Sequence, residues 1–186
     1  NTVVNIYEGA EIYQNGTSSY VGAIVGASYN ATLNIYGGKG ASKSCGIIVM
    51  TTGGTVNVSG GDWTSNGDGS VSNNNKGVLV SQNSRWESGR ASKSIINVTG
   101  GTFKGGYNCY CDGPGVEADD AQINISGGNF NADPTDYIAD GSEIQTGTTF
   151  TVVEQANVSV GNTTYGSLNR AFKNAQNGET ITLLQD

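Results

Sequence analysis

The chain has 186 residues, of which 29 are glycine, 13% are charged and none is histidine, and its formal net charge is -7. This acidic balance argues against nucleic acids and anionic membrane surfaces as partners, since both favour a basic protein surface. The sequence has no apolar run of about 18 residues, so we expect no membrane-spanning helix.

A four-residue phrase occurs five times: an apolar residue, Asn, Val or Ile, and then Tyr, Ser or Thr. The copies occupy residues 4–7, 33–36, 56–59, 96–99 and 123–126. Apolar residues two apart with Asn between them have the period of a strand whose two faces differ. We therefore predict five strands with the apolar pairs inside and five Asn outside, namely Asn5, Asn34, Asn57, Asn97 and Asn124. Asn side chains aligned about 4.8 Å apart can hydrogen-bond from strand to strand.

The spacing of these copies indicates parallel pairing. Successive copies start 29, 23, 40 and 27 residues apart, which is too long for hairpins. Four copies continue into Gly-Gly, whereas the first continues into Glu8-Gly9. A second apolar phrase lies between them at residues 22–25, 46–49 and 77–80 and, in a degraded form, at 115–118. Over residues 1 to about 140 this pattern resembles a right-handed parallel β-helix of the pectin-lyase-like kind, an all-β solenoid.

The long third repeat is the first candidate for a binding surface. Its surplus residues are predicted to form two loops, residues 62–75 and 81–93, and loops on a rigid scaffold often carry binding residues. They contain both tryptophans and two of the three arginines, residue types enriched at binding hot spots: Trp63, Trp86, Arg85 and Arg90.

Each tryptophan also has a structural interpretation. Phe103 and Phe130 follow Gly-Gly at the same position as Trp63, which favours burial of Trp63 in its own repeat. For Trp86 the two interpretations have equal weight: the side chain contacts a ligand, or it covers the edge of its own loop. The outward column that contains Tyr7 and Tyr36 is the next candidate surface.

Four carboxylates are close in sequence after the fourth repeat: Asp112, Glu117, Asp119 and Asp120. Parallel β-helix hydrolases use clustered carboxylates, but they also carry His and an Asn-Thr-Asp element that this chain lacks. We interpret the cluster as a solvated acidic turn, with weak Ca²⁺ binding as the second interpretation and catalysis as the third. No cofactor is expected.

The three cysteines are Cys45, Cys109 and Cys111. Cys45 belongs to the second repeat and the others to the fourth, so a disulfide to Cys45 would exceed the Cα separation of about 7 Å that such a bond allows. Small buried thiols are the favoured interpretation, ahead of a strained Cys109–Cys111 link. A zinc site is disfavoured because the chain has no His and the thiols lack metal-ligand spacing.

The C-terminal part has a different pattern. Residues 157–165 suggest a hairpin, and Leu168, Ala171, Phe172 and Ala175 have the spacing of one amphipathic helix, with Ser167 as its N-cap and Asn177-Gly178 as its end. The strand at residues 180–184 follows. We predict repeats over residues 1–149 and a ββαβ cap, or a junction to a following module, over residues 150–186.

Residues 121–186 carry a second resemblance. Gly127-Gly128-Asn129-Phe130, Asp133-Pro134 and residues 137–141, followed by the ββαβ pattern, resemble large multi-module surface proteins of gut-dwelling bacteria. The resemblance implies an extracellular location, neighbouring modules of the same protein and no catalytic motif. Asn1 at the edge of a repeat, without a starting Met, agrees with a piece of such a protein.

We expect a binding module for a host macromolecule: a glycoprotein, a mucin glycan or an immunoglobulin. The alternative is a structural stalk with no ligand, and a polysaccharide-active enzyme is a distant third.

Overall fold

A computed structural model describes residues 2–15, 24–43, 45–49, 53–66, 77–84, 93–112, 116–155, 157–166 and 168–184. This part of the chain is mostly β-structure with one short α-helix. Its first fourteen strands are β1 (Val3–Ile6), β2 (Glu11–Gln14), β3 (Val25–Ala27), β4 (Thr32–Ile35), β5 (Lys39–Ser42), β6 (Cys45–Val49), β7 (Gly54–Val58), β8 (Asp62–Ser65), β9 (Gly77–Ser84), β10 (Ser94–Val98), β11 (Thr102–Lys104), β12 (Tyr107–Asp112), β13 (Ala121–Ile125) and β14 (Gly128–Phe130).

These strands form three sheets that the chain enters in rotation, so that each strand pairs with the strand three places further on. The first sheet has the order β1-β4-β7-β10-β13, and the third sheet has the order β3-β6-β9-β12. The second sheet contains β2, β5, β8, β11 and β14. All pairings among these fourteen strands are parallel, as the sequence predicts.

The repeated phrase forms the first sheet in exact register, with Asn opposite Asn in every pair. The predicted inward residues from the second copy onward are at most 5% exposed: Leu33, Ile35, Val56, Val58, Ile96, Val98, Ile123 and Ile125. The first copy differs, because β1 is an edge strand with a neighbour on one side only. Val4 is therefore 50% exposed, and Ile6 is only partly buried.

The five outward asparagines form a continuous ladder of side-chain hydrogen bonds. Each Nδ2 donates to the Oδ1 of the Asn in the preceding repeat, and the four distances are 3.0, 2.9, 3.0 and 3.1 Å from Asn34 to Asn124. Each inner Asn thus both donates and accepts, which satisfies an amide that is partly buried between its neighbours. This confirms the role predicted for the repeated Asn.

The Gly-Gly corners between the first and second sheets have a steric cause. A Cβ on Gly60, Gly100 or Gly127 would lie 2.5–2.6 Å from a backbone oxygen of the preceding repeat. The second glycine of each pair has a positive φ, for example +96° at Gly61, which disfavours a side chain. The corner therefore needs glycine twice, once for space and once for conformation.

Two predictions about strand positions are wrong. The degraded phrase at residues 115–118 does not form the fourth strand of the third sheet; β12 does, and Ala118–Asp120 form a 3₁₀ helix. In the third repeat, β8 and the end of β9 occupy part of the predicted loops 62–75 and 81–93. These strands contain many polar residues, so their apolar content is too low to distinguish them from loops in sequence.

The C-terminal elements are the 3₁₀ helix Thr135–Tyr137, β15 (Ser142–Thr146), β16 (Phe150–Glu154), β17 (Val158–Val160), β18 (Thr163–Tyr165), α1 (Leu168–Asn174) and β19 (Ile181–Leu183). The antiparallel pair β15–β16 extends the second sheet beyond β14 and spans the predicted boundary at residue 149, which stays a prediction. The order β17, β18, α1, β19 agrees with the predicted hairpin, helix and strand, although α1 ends before Asn177. Val158, Val160 and Ala171 form a small separate core.

Replacing Ile96 by Asp should lower the free energy of unfolding by more than about 3 kcal/mol, because a carboxylate without a partner would enter the apolar core. Ile96 is 0% exposed. Its neighbour Ile95 lies on the outer face opposite Thr55 and Gln122, so Ile95→Asp is the matched control, with an expected cost of about 1 kcal/mol. Urea denaturation followed by circular dichroism measures both. Equal losses would contradict the assigned faces.

Replacing Gly100 by Ala should cost about 1–3 kcal/mol, because the new methyl group would lie 2.6 Å from the Ser59 carbonyl oxygen and the two repeats would have to separate. Gly147 serves as control, since its Cβ would have no heavy atom closer than 3.9 Å. Gly147→Ala should change stability by no more than about 0.5 kcal/mol. If thermal denaturation shows the same midpoint for both variants, the corner is not a steric constraint.

Candidate functional site

The structure describes one of the four contact residues that the sequence predicts first. Trp86, Arg85 and Arg90 lie outside the described residues, so their role stays a prediction. Trp63 is 1% exposed and pairs in register with Phe103, which in turn stacks on Phe130 at a ring-centroid distance of 5.1 Å. Its Nε1 donates to the Gly60 carbonyl at 3.1 Å. This burial agrees with the structural interpretation of Trp63, and its role as a contact residue stays a prediction.

Two of the four carboxylates in the acidic cluster interact with neighbouring residues. Asp119 forms an ion pair with Lys93, and this hydrogen bond and charge hold the pKa of the Asp119 carboxyl below its usual value. Asp120 Oδ2 accepts a hydrogen bond from the Glu117 backbone N–H at 2.9 Å, which closes the turn at the 3₁₀ helix Ala118–Asp120. Within the described residues, no three Cys, Asp or Glu side chains converge as a metal site. The role of Asp112 and the binding of Ca²⁺ stay hypotheses.

Cys109 and Cys111 are free thiols on β12. Burial raises the pKa of the Cys109 thiol to about 11, so at neutral pH it is protonated and packs against the core as a small apolar group. Cys111 Sγ contacts the Ala118 carbonyl oxygen at 3.7 Å. The backbone of Cys45 lies two strands away, opposite Gly77, whereas Cys109 lies opposite Ser81.

Tyr7 and Tyr36 form an exposed aromatic pair on the outer face of the first sheet. Their rings stack with centroids 5.2 Å apart and planes inclined by 18°. They remain 61% and 49% exposed, although burial would remove two large apolar surfaces from water. The same column continues with Ser59 in the next repeat, which adds no ring to the stack. The sequence predicted this exposure correctly.

A groove of about 470 Å³ includes Tyr36 in its lining and follows the corner between the first and second sheets. Its volume is within the range of about 300–1,000 Å³ that is typical of ligand clefts. Its lining residues come from three successive repeats: Glu8, Gly9, Ala10, Glu11, Tyr36, Gly37, Gly38, Lys39, Ser59, Gly60, Gly61 and Asp62. Five of these twelve residues are corner glycines, which have no side chains that could fill the groove.

The charged residues of the groove are three carboxylates and one ammonium group. Lys39 Nζ lies 2.7 Å from Glu11 Oε1, and this hydrogen bond lowers the pKa of Glu11 and raises the pKa of Lys39. Both groups are therefore ionised at neutral pH. Within the part of the chain that the structure describes, Glu8 and Asp62 form no ion pair. The groove thus carries an excess of negative charge.

Sequence reasoning identified Tyr36 but missed the other polar residues of this groove. Glu11, Lys39 and Asp62 occupy the same position in successive repeats, at the start of the second-sheet strand. Lys39 and Asp62 directly follow Gly-Gly, which was a signal in the sequence, whereas Ala10 separates Glu11 from Gly9. Only the register of the second sheet shows that they lie side by side.

A second groove of about 540 Å³ lies at the other end of the same outer face. It is lined by Asn97, Thr99, Asn124, Ser126, Ala139, Asp140, Gly141, Ser142, Glu154 and Lys173. None of these residues is aromatic, so this groove offers hydrogen bonds but no flat apolar surface. The first groove is therefore the stronger candidate.

In the described ranges, no helix has both the length and the apolar character needed to cross a lipid bilayer. The chain matches no protein-family model, no curated protein and no solved structure at a significant level.

Proposed function

We propose that this chain is a right-handed parallel β-helix module of an extracellular bacterial surface protein, and that it binds a host macromolecule. The rotation of the chain through three parallel sheets and the steric need for glycine at the corners support the β-helix. The resemblance of residues 121–186 to multi-module surface proteins supports the location and the presence of neighbouring modules.

The exposed Tyr7–Tyr36 pair beside the groove is the observation that carries the binding function. Tyrosine is enriched at protein interfaces because its ring supplies a large contact area and its hydroxyl group can form a hydrogen bond. Here two rings stack on a rigid sheet, next to a concave surface with polar groups. Such a surface is organised before a ligand arrives, which reduces the entropic cost of binding.

An enzymatic function has less support. The chain contains no His, and the carboxylates that sequence alone associates with catalysis, Asp119 and Asp120, are engaged in an ion pair and a turn. General acid–base catalysis requires a carboxyl group with a pKa near the working pH, whereas the pKa of Asp119 is lowered. We therefore propose a module without catalytic activity.

The Asn ladder favours the alternative function, a stalk. Four consecutive amide hydrogen bonds and uninterrupted parallel pairing give a stiff unit that could hold another module away from the cell. A stalk does not require exposed stacked tyrosines, and this is why we rank it second.

Biolayer interferometry with the immobilised chain and three purified probes, a mucin, IgA and IgG, should detect binding of at least one. The double variant Tyr7→Ala/Tyr36→Ala should weaken it by about thirtyfold, the effect of losing a hot spot worth about 2 kcal/mol. The triple variant Trp86→Ala/Arg85→Ala/Arg90→Ala tests the other predicted surface. Absence of binding to all three probes would leave the stalk. A loss confined to the triple variant would move the site to the third repeat.

A further inference from the structure

The stack of tyrosines ends inside the groove. Tyr7 covers one face of the Tyr36 ring, and the next residue of the column is Ser59. The hydroxyl of Ser59 turns back to the Ile35 carbonyl at 3.4 Å. Among the described residues, no second ring of the column stacks on Tyr36, which lines the groove and is 49% exposed. A flat ring of a ligand can stack there at the place that a third aromatic side chain of the column would take.

Polar groups surround this ring. Lys39 and Glu11 form an ion pair at the rim, and Asp62 occupies the equivalent position in the next repeat. Between the ring and these charges, the groove is lined by corner glycines, which have no side chains. The groove thus combines one apolar plane with hydrogen-bond donors and acceptors at its edge. A pyranose ring has the complementary pattern, with C–H groups on its face and hydroxyl groups around its edge.

The charge of the groove selects among sugars. Glu8, Glu11 and Asp62 carry three negative charges against the single positive charge of Lys39, which is already paired with Glu11. A sialic acid, a uronic acid or a sulfated sugar would bring a further negative charge close to these carboxylates, and like charges at short distance repel. A neutral sugar avoids this repulsion and can donate its hydroxyl hydrogens to the carboxylates.

From these observations we propose that the groove binds a neutral sugar residue stacked on Tyr36. This inference rests on the proposed binding function and specifies its ligand class. Tyr36 supplies the apolar plane, Tyr7 supports it from behind, and Asp62 and Glu11 accept hydrogen bonds from the sugar hydroxyls. Glu8 and the excess negative charge exclude acidic glycans.

Isothermal titration calorimetry of the whole chain with two pools of mucin O-glycans, one neutral and one sialylated, tests the proposal. The neutral pool should bind at least tenfold more tightly than the sialylated pool. Tyr36→Ala should weaken binding of the neutral pool at least tenfold, because it removes the stacking plane. Ser59→Tyr should also abolish binding, because its ring would extend the tyrosine column into the groove.

Ser59→Tyr provides the control for folding, since an added stacked ring should leave the thermal midpoint unchanged or raise it. Phe172→Ala is the matched aromatic control; Phe172 is 64% exposed on α1 and does not line the groove, so binding should be unchanged.

The proposal would be overturned by tighter binding of the sialylated pool, by tighter binding of the basic peptide Lys-Tyr-Lys, or by neutral-glycan binding that Tyr36→Ala and Ser59→Tyr leave intact. Failure of all glycans to bind would also overturn it. If IgA or IgG still bound the chain in that case, the general binding function would stand while the sugar site would not.

Discussion

The parallel register of the first sheet is the constraint on which the rest of the structure depends. Because each repeat places the same residue opposite its counterpart, every position of the phrase becomes a column with one environment. The Asn column can form its ladder, and the apolar columns can close the core, only in this register. A shift by one residue would bring the Asn side chains into the core and the apolar side chains to the surface.

The candidate site arises where the repetition is broken. The outer column changes from Tyr to Ser after the second repeat, so the stack of rings in this column ends at Tyr36. The residues after the corner change from Glu11 to Lys39 to Asp62, which produces an ion pair and an adjacent carboxylate instead of a row of like charges. Regular columns provide the rigid surface, and irregular ones provide its chemical character.

The sequence predicted the features that follow from the two-residue period of the strands and from positions shared by successive repeats. Alternation around Asn was enough to identify the five strands and their buried faces, and the position after Gly-Gly was enough to relate Trp63 to Phe103 and Phe130. Strand β12 was missed because Tyr107–Asp112 lacks the apolar phrase of its partners. The groove was missed because its polar residues are separated by 23–28 residues and meet only through pairing of the second sheet. Trp86, Arg85 and Arg90 remain predictions from sequence.

The direction of the hydrogen bonds has a mechanical consequence. Both the backbone bonds between strands and the Asn ladder run along the direction in which the repeats stack, and β1 and β13 lie at opposite edges of the first sheet. A force that pulls these edges apart acts along the bonds and opens them one row at a time, without shearing all rows together. Each row that opens releases a segment of 23 to 40 residues, roughly 80–130 Å of extended chain. Under such a force, the protein would lengthen in steps and dissipate the load before its remaining repeats unfold.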